Sequence, residues 1–120
     1  MTSKYGNKKC YVDGHKFDSH MECDYYYRLK VLKDKGEILD FKVHPKFMLQ
    51  PSFKYNGKTI SGITYTPDFL VEHPFGVVEI IDVKGAKTNE FKLREKMFKF
   101  KYPQYVFKCL TLVGETWVEI

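Results

Sequence analysis

Residues 77–84, Val-Val-Glu-Ile-Ile-Asp-Val-Lys, constrain this chain more than any other segment. A near-continuous β-branched run of this length, closed by Gly85, reads as a central strand buried on both faces. Side chains alternate along a strand, so Asp82 and Lys84 share one face while Glu79 faces the other. Charged groups on a buried strand are costly unless paired or holding a metal. Asp68, in Thr66-Pro67-Asp68-Phe69-Leu70, lies on the preceding extended segment, and residues 73–76 (His-Pro-Phe-Gly) form a turn between the two. If that hairpin closes about residue 75, Asp68 falls beside Asp82. Two carboxylates and an ammonium then converge.

The remaining pattern is alternating helix and strand. Residues 10–17 read as a small hairpin on Asp13-Gly14. A helix begins at Asp18 or Ser19, where Ser19-His20-Met21-Glu22 has capping-box form, and runs to Lys35-Gly36 with Tyr25, Leu29 and Leu32 on its apolar stripe. In the capping box Glu22 bonds back to the Ser19 amide, yet Glu22 also lies on the apolar stripe, seven residues before Leu29. Residues 38–55 are extended with a break at His44-Pro45. Tyr55-Asn56-Gly57-Lys58 signals a hairpin, and residues 59–72 read as strand bent near Gly62 and Pro67. Thr88 or Asn89 caps a second helix that runs to about Lys101. Residues 105–113 form another buried strand, with a short last strand at Trp117-Val118. The expected class is α/β with a mixed sheet, in one domain over residues 10–120 behind a basic arm at residues 1–9.

Such a carboxylate–lysine group suits metal-assisted phosphodiester hydrolysis. Paired carboxylates hold Mg²⁺, a hard ion that prefers oxygen ligands. Asp68 and Asp82 are the first ligands, Glu22 a further metal or water ligand, and the Val83 carbonyl an additional oxygen. Lys84 orients the attacking water or neutralises the transition state. The three cysteines (Cys10, Cys23, Cys109) match no zinc spacing and read as reduced thiols. The four histidines match no metal motif.

The formal net charge of +5 is concentrated. The second helix carries Lys87, Lys92, Arg94, Lys96, Lys99 and Lys101 against Glu90 and Glu95. Lys92, Lys96 and Lys99 form one stripe. Lys87 sits just past the active-site strand, and Lys4, Lys8 and Lys9 of the arm are placed to clasp phosphates. Two apolar stripes flank this helix: Leu93, Met97 and Phe100, and the aromatic stripe Phe91, Phe98 and Tyr102. One is expected on the sheet and the other on the first helix or a second subunit, with the aromatic stripe as the expected dimer surface. No apolar run approaches the roughly 20 residues of a membrane helix, and the N-terminus lacks a signal-peptide core, so a cytoplasmic location is expected.

Pro67-Asp68 followed by Asp82-Val83-Lys84 resembles the PD-(D/E)xK nuclease superfamily, with Glu22 near the start of an upstream helix and a helix and strand after the motif. Phe17-Asp18-Ser19, Gln50-Pro51, Tyr55-Asn56-Gly57-Lys58 and Asp82-Val83-Lys84-Gly85 are similar to features of small phage-encoded proteins. Thr66-Pro67-Asp68-Phe69-Leu70 and Gln50-Pro51 are also similar to the endonuclease subunit of Tn7-type transposases. The resemblance implies a restriction-endonuclease-like αβββαβ core, Mg²⁺ with Mn²⁺ as a substitute, and DNA as substrate. It also places Gln50 near the active site. The expected function is a phage or prophage endonuclease, acting as a homodimer on branched DNA as Holliday-junction resolvases do, with phage recombination or replication proteins as partners. Two alternatives stand beside it. One is a nicking or end-cutting subunit of a replication, packaging or transposition complex. The other is a non-catalytic nucleic-acid-binding module.

Overall fold

The computed structural model describes residues 9–120. Strands β1 (Cys10–Val12) and β2 (His15–Phe17) form the first hairpin, with Asp13 and Gly14 both at positive φ as a type I′ turn requires. Helix α1 (His20–Asp34) follows, N-capped by Ser19. Then come β3 (Asp40–Val43), β4 (Phe47–Gln50), β5 (Phe53–Tyr55), β6 (Lys58–Ile60), β7 (Ile63–Tyr65), β8 (Phe69–Glu72), β9 (Val78–Val83), helix α2 (Asn89–Lys101, N-capped by Thr88), β10 (Val106–Val113) and β11 (Thr116–Glu119).

The main sheet is mixed and five-stranded, in the order β11-β10-β9-β8-β3, with β9 at its centre. Strand β9 runs antiparallel to β8 and parallel to β10, and α2 supplies the crossover that a parallel pair needs. The two helices pack against separate cores. Leu29, Tyr25 and Tyr26 of α1 meet Phe69, Val71, Ile81 and Val83. Phe91 and Phe98 of α2 meet Ile80, Cys109, Leu49 and Tyr65. The alternation of β9 is what separates them: Ile80 and Asp82 point one way, Ile81 and Val83 the other.

Between β3 and β8 the hairpin expected at Tyr55–Lys58 forms as β5–β6, but residues 59–72 are three strands rather than one bent strand. Pro45, Pro51, Gly62 and Pro67 interrupt the segment, and it folds into two small sheets, β4–β7 and β5–β6. A proline cannot donate to a ladder, so each one ends a pairing. Gly62 is required by close approach, since a Cβ there would lie 2.7 Å from the Gln50 carbonyl oxygen.

Two expectations are corrected. The aromatic stripe of α2 cannot serve as a dimer surface, because Phe91 and Phe98 are buried against the sheet and Tyr102 packs with them. Phe98 meets Phe47 edge-on, Phe107 at a tilt and Tyr105 stacked, which completes that core. The second correction concerns the thiols. Cys10 and Cys23 form a disulfide, because the β1–β2 hairpin docks on α1 and brings their Cα atoms to 6.5 Å. Cys109 is free and buried, as expected of a core thiol.

No helix among the described residues is long and apolar enough to cross a membrane. Lys4 and Lys8 lie outside the described residues. Lys9 is exposed.

Candidate metal and phosphate site

The register of the β8–β9 hairpin determines the site. Phe69 pairs with Ile81 and Leu70 with Ile80, so Asp68, one residue before β8, stands opposite Asp82. Pro67, fully buried, ends the extended run and starts the bend that holds Asp68. Asp68 is 8% exposed and Asp82 3%. The Val83 amide donates to Asp68 Oδ2 at 2.7 Å. Because the N–H and C=O of one strand residue face the same edge, the Val83 carbonyl is directed to that side as well. The buried Tyr65 hydroxyl donates to Asp82 Oδ2. Lys84 Nζ lies 3.3 Å from Asp82 Oδ1 and 4.6 Å from the centre of the Phe91 ring, so ion pair and aromatic face together fix it at the cleft.

Glu22 enters from the first turn of α1. Its amide donates to Ser19 Oγ at 3.2 Å, and its Oε2 accepts from the Asp18 amide at 3.2 Å, one residue earlier than the capping box predicts. Its carboxylate, an oxygen of Asp68 and a ring nitrogen of His44 lie within 4.8 Å of one another. Burial, followed by the charges of Asp82 and Glu22, pushes the Asp68 carboxyl well above its ordinary range. Burial raises Glu22 to about 7, with the Asp18 amide opposing and the Asp18 and Asp82 charges adding. Burial and the adjacent Asp82 charge push Tyr65 far above the usual tyrosine value. Burial and Asp82 lift Cys109, its neighbour on β10, to about 11, so that thiol stays protonated.

Asp18, Glu22, Asp68, Asp82 and Lys84 line a cleft of about 380 Å³, whose other wall is Thr64–Thr66 and the N-terminal half of α2 with Arg94. Arg94 Nε donates to the Thr64 carbonyl at 3.2 Å. Of the residues the sequence singled out, Asp68, Asp82, Lys84 and Glu22 line this one cleft, with Val83 on the same edge, while Asp82 stands outside the 4.8 Å group of Glu22, His44 and Asp68. Gln50 stands apart, lining an adjacent apolar groove. Glu79 faces the other side of β9, held by Lys108 at 2.9 Å and His73 at 3.1 Å.

The lysines divide. Lys87 and Lys99 both bond the buried Glu95, at 3.0 Å each. Burial would raise Glu95, but Lys99 and Lys87 outweigh it and hold the carboxyl below its usual value. Lys87 is therefore committed within the fold, whereas Lys92 and Lys96 are exposed.

Sequence reasoning missed His44 and Tyr65. His44 has a positive φ of 52°, an uncommon conformation for a residue other than glycine. It is set by the Pro45 break, by its amide donating to the Asp68 carbonyl at 2.8 Å, and by its ring packing 5.5 Å from Phe17. The His-Pro break is visible in the sequence, but its position beside Asp68 depends on β3–β8 pairing. Tyr65 sits two residues before Pro67 with nothing local to mark its hydroxyl.

No curated protein and no solved structure matches the chain. Residues 2–114 match the family described as "Protein of unknown function (DUF1064)". The chain belongs to that family.

Proposed function

We propose that this protein is a Mg²⁺-dependent DNA endonuclease that hydrolyses phosphodiester bonds at the Asp68–Asp82–Lys84 cleft. The observation that carries this reading is the pairing of two buried carboxylates across β8 and β9 with an ammonium on the same strand. Structural ion pairs balance their charges. Here Asp68, Asp82 and Glu22 outnumber Lys84, and the protein holds Asp68 and Glu22 in environments that disfavour ionisation. A hard divalent cation relieves that imbalance, and the donor set is mainly oxygen. The sequence of elements α1, β3, β8, β9, α2, β10 supports a restriction-endonuclease-like core, with β4–β7 as an insertion.

Asp68, Asp82 and Glu22 would hold the ion, with the Val83 carbonyl on the same edge. When bound, it supplies Lewis-acid stabilisation of charge on the phosphate and acidifies water. His44 adds an imidazole nitrogen beside the oxygens, which makes Mn²⁺ an effective substitute. Tyr65 fixes one oxygen of Asp82 and leaves the other facing Lys84. Lys84 orients the attacking water and neutralises charge developing on the phosphate. Arg94, at the cleft wall and paired with the exposed Glu90, would exchange that partner for the incoming phosphate backbone.

Four-way junction, flap, duplex and single-stranded DNA incubated with the protein in Mg²⁺ or EDTA test the reading. Cleavage is expected in Mg²⁺, strongest on branched DNA and absent in Asp82→Ala. Binding with no cleavage in Mg²⁺ or Mn²⁺ would leave a non-catalytic nucleic-acid-binding module instead.

A further inference from the structure

The outward stripe of α2 is uncovered: Phe100 is 89% exposed and Leu93 57%. Beside it, Leu49, Gln50 and Pro51 at the end of β4 close a groove of about 630 Å³ with Met97, Phe100, Lys96 and Lys101. Its floor is apolar and its rim is lysine. The charge around it limits the occupant. Residues 41–67, which supply one wall and the β5–β6 hairpin, contain four lysines and no acid. A second copy of this chain docked through the same face about a two-fold axis would bring two lysine-rimmed surfaces together. A partner that is both anionic and aromatic fits instead. Duplex DNA keeps its bases inside the stack and offers this apolar floor little, whereas an unpaired base can stack on an exposed ring while its phosphates meet lysines.

We propose that this groove binds an unpaired DNA segment, with Phe100 stacking on a base and Lys96 and Lys101 holding the flanking phosphates. The inference rests on the nuclease reading for the ligand being DNA, and it gives that reading a source of structure selectivity. Arg94 in the cleft wall and Met97 in the groove are three residues apart on α2, so a strand leaving the groove is delivered beside Asp68 and Asp82.

Fluorescence anisotropy in EDTA tests it without cleavage. The probes are a labelled oligothymidylate of about 15 nucleotides, an abasic strand of equal length, and a blunt duplex. The wild type should bind the oligothymidylate about tenfold more tightly than the abasic strand. Phe100→Ala, at an exposed position that does not threaten folding, should erase that difference, and Phe100→Trp should keep it. Lys96→Ala should weaken both single strands equally and lower the salt slope by about one. A wild type that fails to distinguish base from abasic strand overturns the inference, as does a preference that survives Phe100→Ala. A dimer in sedimentation that Phe100→Ala dissolves also overturns it. Mg²⁺-dependent cleavage without base-dependent binding defeats this inference and leaves the nuclease reading. Base-dependent binding without any cleavage supports it and defeats that reading.

Discussion

Replacing Asp68 by Asn should stabilise the metal-free protein, the reverse of what a buried polar substitution usually does. The side-chain oxygen of the introduced asparagine can still accept the Val83 amide that Asp68 Oδ2 accepts at 2.7 Å, and its NH₂ group can donate to Glu22 or Asp82. At the 4.8 Å limit separating the Glu22 and Asp68 oxygens, two unit charges repel by roughly 3.5 kcal/mol at an effective dielectric of about 20. Partial protonation of Glu22 near its pKa of about 7, and its partial access to solvent, reduce the realised gain to about 1–2 kcal/mol. In a domain of this size that raises Tm by roughly 3–8 °C. The pH dependence follows from the direction of the shifts. A carboxyl whose folded pKa is raised binds its proton more tightly in the native state, so stability falls as pH rises from its unfolded value through its folded value. For Glu22 that interval is 4.5 to about 7. The variant's advantage should therefore grow as pH rises out of the ordinary carboxylate range, where Asp68 begins to be penalised, with the Glu22 contribution complete only above about pH 7. Thermal melts in EDTA across that range, repeated with Mg²⁺, measure it. Wild type should gain stability from Mg²⁺ and the variant should not. An Asp68→Asn protein that is less stable than wild type at about pH 8 in EDTA, or that keeps the Mg²⁺ shift, refutes the electrostatic account of the cleft.

Other consequences are nearer to hand. Tyr65→Phe removes the donor to a 3%-exposed carboxylate, and urea denaturation should show a loss of about 1.5–3 kcal/mol; an unchanged midpoint would mean the hydroxyl does not hold Asp82. Gly62→Ala forces a methyl to within 2.7 Å of a backbone oxygen, so β4 and β7 must part, at a cost of about 1–3 kcal/mol in the same assay. Mg²⁺ bound as proposed would displace protons from Glu22 and Asp68, so calorimetric affinity should rise as pH rises through about 7 with proton release visible across buffers, and a flat profile would remove both from the ligand set.

The geometry around β9 is legible in the sequence because it depends on local rules. A β-branched run, a four-residue turn and the period of two together place Asp68 opposite Asp82 and turn Glu79 away, as found. Both helices lie where their caps, Ser19 and Thr88, predict. What escapes is non-local. His44 reaches Glu22 and Asp68 only because β3 pairs with β8, and the Cys10–Cys23 bond forms only because the first hairpin docks on α1. The two stripes of α2 are visible in the sequence, yet periodicity says nothing of which one meets the sheet. Tyr65, Phe47 and Phe107 decide it by offering an aromatic bed to Phe98. Lys87 looks free on the sequence, but Glu95, eight residues further on, claims it.

Single-turnover cleavage of a labelled four-way junction by wild type and Lys84→Ala, purified side by side in Mg²⁺, tests the central claim most directly. In the proposed nuclease Lys84 would act through charge and orientation, so its loss should leave Mg²⁺ binding in place and slow cleavage by about 10²–10³-fold. Equal rates from the two proteins, or no cleavage by either, would contradict the assignment of this cleft as a nuclease active site.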